Sequence, residues 1–204
     1  MYLKKTLLAA VGAAVLVTPI LVSKAQAAGE QFFPMIVYRT GPYAVGGIPM
    51  ANGYSDYLRL VNKRGGINGV QVKWEECETK YNTKVGVECY EKLKNKGDKG
   101  ASVFNPNSTG ITYQIIPKSI VDKIPVHSMG YGRTAAGDGR VFKYAFTFPT
   151  SYWSQAAAFI NYVGAQEGGM DKLKGKKIAF IYHNSAYGKE PIATFNLLSK
   201  RYGY

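Results

Sequence analysis

The stretch "FNPNSTGITY" (104–113) sets two hydroxyl residues, Ser108 and Thr109, where a short apolar run ends and a helical pattern begins. A serine or threonine at a helix start places its hydroxyl beside unpaired first-turn amides and the positive end of the helix dipole. Such a corner suits an anion, and a carboxylate fits it without any bond-making chemistry. Three more stretches share this makeup of glycine, hydroxyl and tyrosine. They are "TGPYAVGG" with Tyr43, "MGYGRTAAG" with Gly130, Tyr131 and Gly132, and "NSAYGK" with Tyr187. Glycines there let backbone N–H groups approach a ligand closely.

Residue types that make and break bonds stand in weaker patterns. "VHSMG" and "HNSAYG" bring serine near histidine, yet neither is a Gly-x-Ser-x-Gly elbow. Neighbours in a strand point to opposite faces, so His127 and Ser128 are poorly placed to pair. "GPYAVGG" lacks the Gly-x-Gly-x-x-Gly spacing that lays backbone on a pyrophosphate. Glu76 and Glu78 share one face of a strand edge beside Cys77 and read as a solvated rim. The expectation is a binding protein, not an enzyme, with no cofactor and no metal.

The compartment follows from the first 27 residues. "MYLKK" is a basic start, Thr6 to Val22 is mostly apolar and broken by Pro19, and "KAQAA" ends in small residues. These are the parts of a secretory signal peptide, with cleavage expected after Ala27. The apolar run falls short of the ~20 residues that span a bilayer. Export makes a Cys77–Cys89 disulfide the expected state of the only two cysteines. A zinc site is disfavoured because His127 and His183 lie far along the chain.

The formal charge of +13 falls to +10 once Lys4, Lys5 and Lys24 of the leader are removed. The remaining cations are scattered, and the densest groups, "KLKNKGDKG" and "DKLKGKK", resemble helix ends and turns. A hydrated basic surface is the reading, with no nucleic-acid partner.

The elements that must position these loops alternate. "FFPMIVYR" (32–39), "GVQVKWEEC" (69–77), "ASVFNP" (101–106) and "IPVHS" (124–128) read as strands. Helices are expected over 48–63, over "NTKVGVECYEKLKNKG" and over 111–121. "VFKYAFTFP" is an extended crossing segment. Ser151 then caps a helix whose inward face is expected to carry Trp153, Ala156, Ala157, Ile160 and Val163. "KKIAFIYH" (176–183) reads as a further strand, and "YGKEPIATFNLLSKRYG" as a last helix. Strand–helix alternation predicts an α/β fold with parallel sheets flanked by helices. In such sheets ligands sit outside the carboxyl ends of the strands, where the four loops lie. The chain stops at "KRYGY", where another strand would be expected to follow, so it reads as a fragment.

"GGINGVQVKWEECETKYNTKVGVECYEKLKNKG", with "GPYAVGGIPMANGYSDYLRLVN" and "LKGKKIAFIYHNSAYGKE", resembles the branched-chain amino-acid type of periplasmic solute-binding protein. These are the extracytoplasmic receptors of ABC importers, and the likeness covers essentially all of 32–204. It implies two Rossmann-like lobes closing on a small solute, a type 1 periplasmic binding fold. Residues 28–144 would form most of lobe one and 145–204 the start of an incomplete lobe two. It further implies a periplasmic monomer that delivers its solute to an ABC permease; the same fold also serves ligand-sensing receptors in signalling.

The resemblance implies roles for particular residues. Ser108 and Thr109 would hold the ligand carboxylate, and backbone at Gly130, Tyr131 and Gly132 its amine and carboxylate. Tyr187 would close over it. Gly46 stands where the family's first loop carries an aromatic, with Tyr43 three residues earlier, so branched-chain specificity is not implied. Tyr43, Tyr131, Tyr152 and Trp153 add aromatic surface near the cleft, with Trp153 itself expected in the helix core. An aromatic-lined cleft suits an amino acid or a small aromatic acid.

Overall fold

A computed structural model describes residues 29–129 and 132–204. The leader read at residues 1–27, Gly130 and Tyr131 lie outside the described residues. The first strand, β1 (Gln31–Val37), pairs in parallel with β2 (Val72–Glu78), from Gln31 opposite Val72 to Val37 opposite Glu78. On its other side β1 makes parallel bridges from Phe32 to Ala101 and from Met35 to Asn105. Phe104 in turn bridges β3 (Val126–Ser128), which pairs in parallel with β4 (Ala145–Thr147). The spatial order is β2, β1, the 101–105 segment, β3, β4. All neighbours run the same way, as the alternation predicts.

Between β1 and β2 runs α1 (Ala44–Lys63). It starts four residues before the expected position and takes Pro49 into its interior. The ring removes the bond to the carbonyl four residues back, at Val45, which is 90% exposed and open to water. The next helices are α2 (Thr83–Leu93) and α3 (Thr109–Asp122). Asn82 caps α2, accepting from Val85 N at 3.2 Å. These two helices cover one face of the sheet, and the main core lies beneath them. It gathers Phe32, Ile36, Tyr90, Leu93, Phe104, Ile111, Ile115 and Val126. Gly86 lets the helices close: a Cβ there would sit 2.4 Å from the Ile111 side chain.

Cys77 and Cys89 form the expected disulfide, with Cα atoms 5.7 Å apart, tying the end of β2 to α2. Closing a loop of this size is worth about 3 kcal/mol in the chain-entropy picture.

The carboxylates beside Cys77 are not the free rim expected. Arg39 donates to Glu76 from Nε (2.6 Å) and Nη2 (2.7 Å), and Ser55 Oγ donates to it at 3.2 Å. Glu78 accepts from Arg39 N, Lys80 N and the Thr40 hydroxyl. The Arg39 hydrogen bond holds the Glu76 carboxyl below its ordinary range. Its folded-state pKa is therefore lower than its unfolded one, near 4.3. The stabilisation is complete above that value and lost as pH falls through the folded-state pKa. Glu76→Gln is accordingly expected to flatten the acid limb of melting temperature against pH, below about pH 4.3. Coincident limbs for the variant and the parent would show that the pair contributes nothing.

Four expectations are corrected. Residues 101–105 make single bridges in place of a continuous strand. The 176–183 run pairs with no strand among the described residues, and Ile181 is 94% exposed. A strand exists only through a neighbour's hydrogen bonds, so apolar composition alone cannot make one. In α4 (Tyr152–Gln166), capped by Ser151, the buried residues are Tyr152, Ala156, Ile160 and Gly164. Trp153 is 42% exposed, not in the core. The helix is apolar around much of its girth, so its hydrophobic period leaves its rotation open. A short α5 (Ala186–Lys189) and α6 (Ile192–Tyr202), separated by Pro191, replace the single last helix.

Candidate functional site

A cleft of about 400 Å³ opens at the carboxyl ends of β1 and β2 and the start of α3. Its walls are Pro42 and Tyr43, then Lys80, Tyr81 and Thr83, then Ser108 and Gly110, and finally His183, Ser185, Ala186 and Tyr187. Four loops far apart in sequence thus meet in one hollow. Parallel neighbours deliver the first three of these loops to the same edge, whereas the fourth follows the 176–183 run, which pairs with no strand among the described residues.

Ser108 has extended backbone (φ −154°, ψ 129°) and caps α3, its Oγ accepting from Ile111 N at 3.5 Å. That bond is long, so the hydroxyl is only weakly committed to its own helix. The neighbouring Tyr81 phenol has its pKa raised by burial, against the pull of Ser108. Gly110 keeps the floor open, since a Cβ there would lie 2.7 Å from the Thr83 hydroxyl. Two polar atoms of the wall, Tyr43 Oη and Ser185 Oγ, are buried without a hydrogen-bond partner. A buried, unpaired hydroxyl is costly unless something else satisfies it.

Rings form one side. Tyr43 lies 4.2 Å from Tyr81 and 5.5 Å from His183 between ring centroids, and Tyr38 meets Tyr81 edge-on at 5.0 Å. Tyr187 packs against Tyr152 at 5.6 Å. The Tyr152 hydroxyl stands 3.4 Å from Thr109 Oγ1, joining α4 to the start of α3. Burial raises the Tyr152 phenol, which stays neutral at physiological pH. A second tie crosses nearby: Thr134 N donates to Glu190 at 2.7 Å.

Of the residues singled out from sequence, Ser108, Tyr43 and Tyr187 line the cleft. Thr109 is fully buried behind it, turned to Tyr152. Gly132 is buried beside Ser128 and Thr112, where a Cβ would sit 2.3 Å from Ser128 Oγ. Gly130 and Tyr131 are outside the described residues. Gly46, at the place of the family's aromatic, faces open space.

Sequence reasoning missed Lys80, Tyr81, Thr83, His183 and Ser185. The first three follow β2, and the rule that points to the other strand-end loops applies equally to "ETKYNTK". A larger hollow of about 510 Å³ lies between α4, α6 and residues 180–183. Its walls are mainly rings and aliphatic carbons. The smaller cleft is the better candidate because unpaired hydroxyls and first-turn amides converge there.

A family model described as periplasmic binding protein matches residues 30–204. One similar solved structure is described as an ABC transporter permease from the Pseudomonas fluorescens group. It is 46% identical with a TM-score of 0.73, covering 86% of this chain and 43% of that one. A branched-chain amino-acid ABC transporter from Thermus thermophilus, solved with valine, is 24% identical with a TM-score of 0.71, covering 86% and 44%. A fatty-acid ABC transporter substrate-binding protein from Thermomonospora curvata is 19% identical with a TM-score of 0.70, covering 86% and 42%. The last two likenesses speak for the fold. This chain spans less than half the length of each of the three. No curated protein sequence matches it. Since the family model runs through the parallel sheet and every loop of the cleft, the chain belongs to the periplasmic binding protein family and has its type 1 α/β fold.

Proposed function

We propose that this protein is the extracytoplasmic substrate-binding component of an ABC importer and captures a small carboxylate-bearing solute in the cleft. The solute is an amino acid or a small aromatic acid. The observation that carries this reading is the meeting of the α3 start at Ser108 with the partnerless hydroxyls of Tyr43 and Ser185 in one tyrosine-walled hollow. First-turn amides and the dipole of a 14-residue helix favour an anion. Tyr43, Tyr81 and Tyr187 offer faces for the rest of the solute.

In this reading Ser108 holds the carboxylate, with Thr109 fixing the floor behind it, and Tyr187 closes over the solute. The Gly130–Gly132 backbone supplies the remaining polar contacts. Residues 28–144 and 145–204 act as two lobes, joined across the cleft by the Thr109–Tyr152 and Thr134–Glu190 contacts. The protein works in the periplasm as a monomer and hands its solute to an inner-membrane permease. Family membership and the leader-like N-terminus support that setting.

Calorimetry of the full-length gene product against amino acids, small aromatic acids, neutral sugars and simple cations tests the reading. Binding is expected only among the acids. Retention of sugars or cations alone would end it.

A further inference from the structure

The turn after β2 enters the cleft in an unusual backbone. Lys80 (φ 53°) and Tyr81 (φ 60°) are consecutive left-handed residues, and neither is glycine or asparagine. Four bonds hold them there. Thr79 Oγ1 donates to Val37 O (2.9 Å), Tyr81 N donates to Thr79 Oγ1 (3.1 Å), Asn82 N to Thr79 O (2.8 Å) and Lys80 N to Glu78 Oε1 (2.8 Å). The first loop closes on the turn as well: a Cβ at Gly41 would be 3.0 Å from the Lys80 carbonyl. Glycine at either position would relieve the strain. Side chains held in such backbone by so many constraints point to a use for the side chains themselves.

Lys80 lines the cleft, and among the described residues no carboxylate lies within ion-pairing distance of its ammonium. Glu78, two residues away, gives its carboxylate to the Arg39 and Lys80 backbone amides and the Thr40 hydroxyl. Two electropositive features therefore belong to the wall of the hollow, the α3 start at Ser108 and Lys80, an exposed residue of that wall, with Tyr81 beside both. One carboxylate can occupy only one of them.

We propose that this turn sets specificity: Lys80 reads a second acidic group on the solute while Tyr81 walls the space between, so the site prefers dicarboxylates over monocarboxylates of like skeleton. The inference rests on the solute reading above and narrows it. Charge-assisted hydrogen bonds supply the preference, and a partly hydrated lysine makes it sensitive to salt.

The test is calorimetry on the full-length gene product with two pairs, benzoate against terephthalate and leucine against glutamate. Within whichever pair binds, the diacid is expected to bind about ten-fold tighter, with the gap shrinking at high salt. Lys80→Met should bring the ratio to near one. Lys80→Gly should lose the preference too, yet melt at a higher temperature because the turn is relaxed. A parent that binds the monoacid as tightly as the diacid, or a ratio that survives Lys80→Met, overturns the proposal. Monoacid binding without preference removes this inference alone. Binding of no acid from either pair removes the solute reading as well.

Discussion

Gly188→Val is expected to weaken solute binding by about 100-fold while leaving most of the fold intact. A Cβ at Gly188 would lie 2.0 Å from the His183 carbonyl oxygen and 2.9 Å from its C and N atoms. These are backbone atoms and cannot swing aside. The corner from His183 to Gly188 is closed by Ser185 N donating to His183 O at 2.7 Å and Lys189 N donating to Ser185 O at 3.1 Å. Valine must open it, and opening moves His183, Ser185 and Tyr187 out of the cleft wall together. Each lost polar or ring contact is worth about 1 kcal/mol, so three give roughly 100-fold.

Gly53→Ala provides the contrast. Gly53 lies inside α1, and a methyl group added there would meet nothing within 4 Å. That variant should bind like the parent and gain about 0.5–1 kcal/mol of stability from helix propensity. Calorimetry and thermal melts on both variants separate lost binding from lost folding. Parent-like affinity in Gly188→Val would remove the 183–188 corner from the site.

Phe104→Ala carries the largest expected loss of stability, about 3–5 kcal/mol. Phe104 is fully buried, and its ring lies 4.5 Å from that of Tyr90 at the centre of the main core. Its backbone also ties the 101–105 segment to β3, through Phe104 N to Pro125 O (2.9 Å) and His127 N to Phe104 O (2.8 Å). That segment makes only single bridges, so side-chain packing has more to do there than in β1. Truncation leaves a cavity beneath helices held close by Gly86, where little collapse is possible. Denaturant unfolding reads the loss directly. A change under about 1 kcal/mol would place the core's weight elsewhere.

Much of the scaffold was legible because it depends on local pattern. Short apolar runs alternating with amphipathic ones pointed to the parallel α/β plan; Ser151 was recognisable as a cap from its type and position, and the α3 cap as Ser108 or Thr109. The disulfide followed from two cysteines in a chain whose first residues read as an export signal. Rotation of α4 was not legible, because Tyr152 and Trp153 are adjacent large rings on a broadly apolar helix. Contact with Thr109 turns the tyrosine inward and leaves tryptophan to the solvent. The 176–183 run failed as a strand for a related reason: its sequence satisfies the apolar requirement, while the hydrogen bonds must come from another segment.

Residue order pointed to loops rich in glycine, hydroxyls and tyrosine after parallel strands, which would share one edge; the 183–187 loop reaches that edge with no paired strand before it among the described residues. Which side chains meet at that edge was left to long-range packing. It set Ser108, Tyr43 and Tyr187 on the cleft wall and placed Thr109 behind it. It also brought in Lys80 and Tyr81 through a left-handed turn that no residue type announced. The physical reason is range: capping and periodicity act over a few neighbours, whereas the cleft is made by contacts between residues as far apart as Tyr43 and His183.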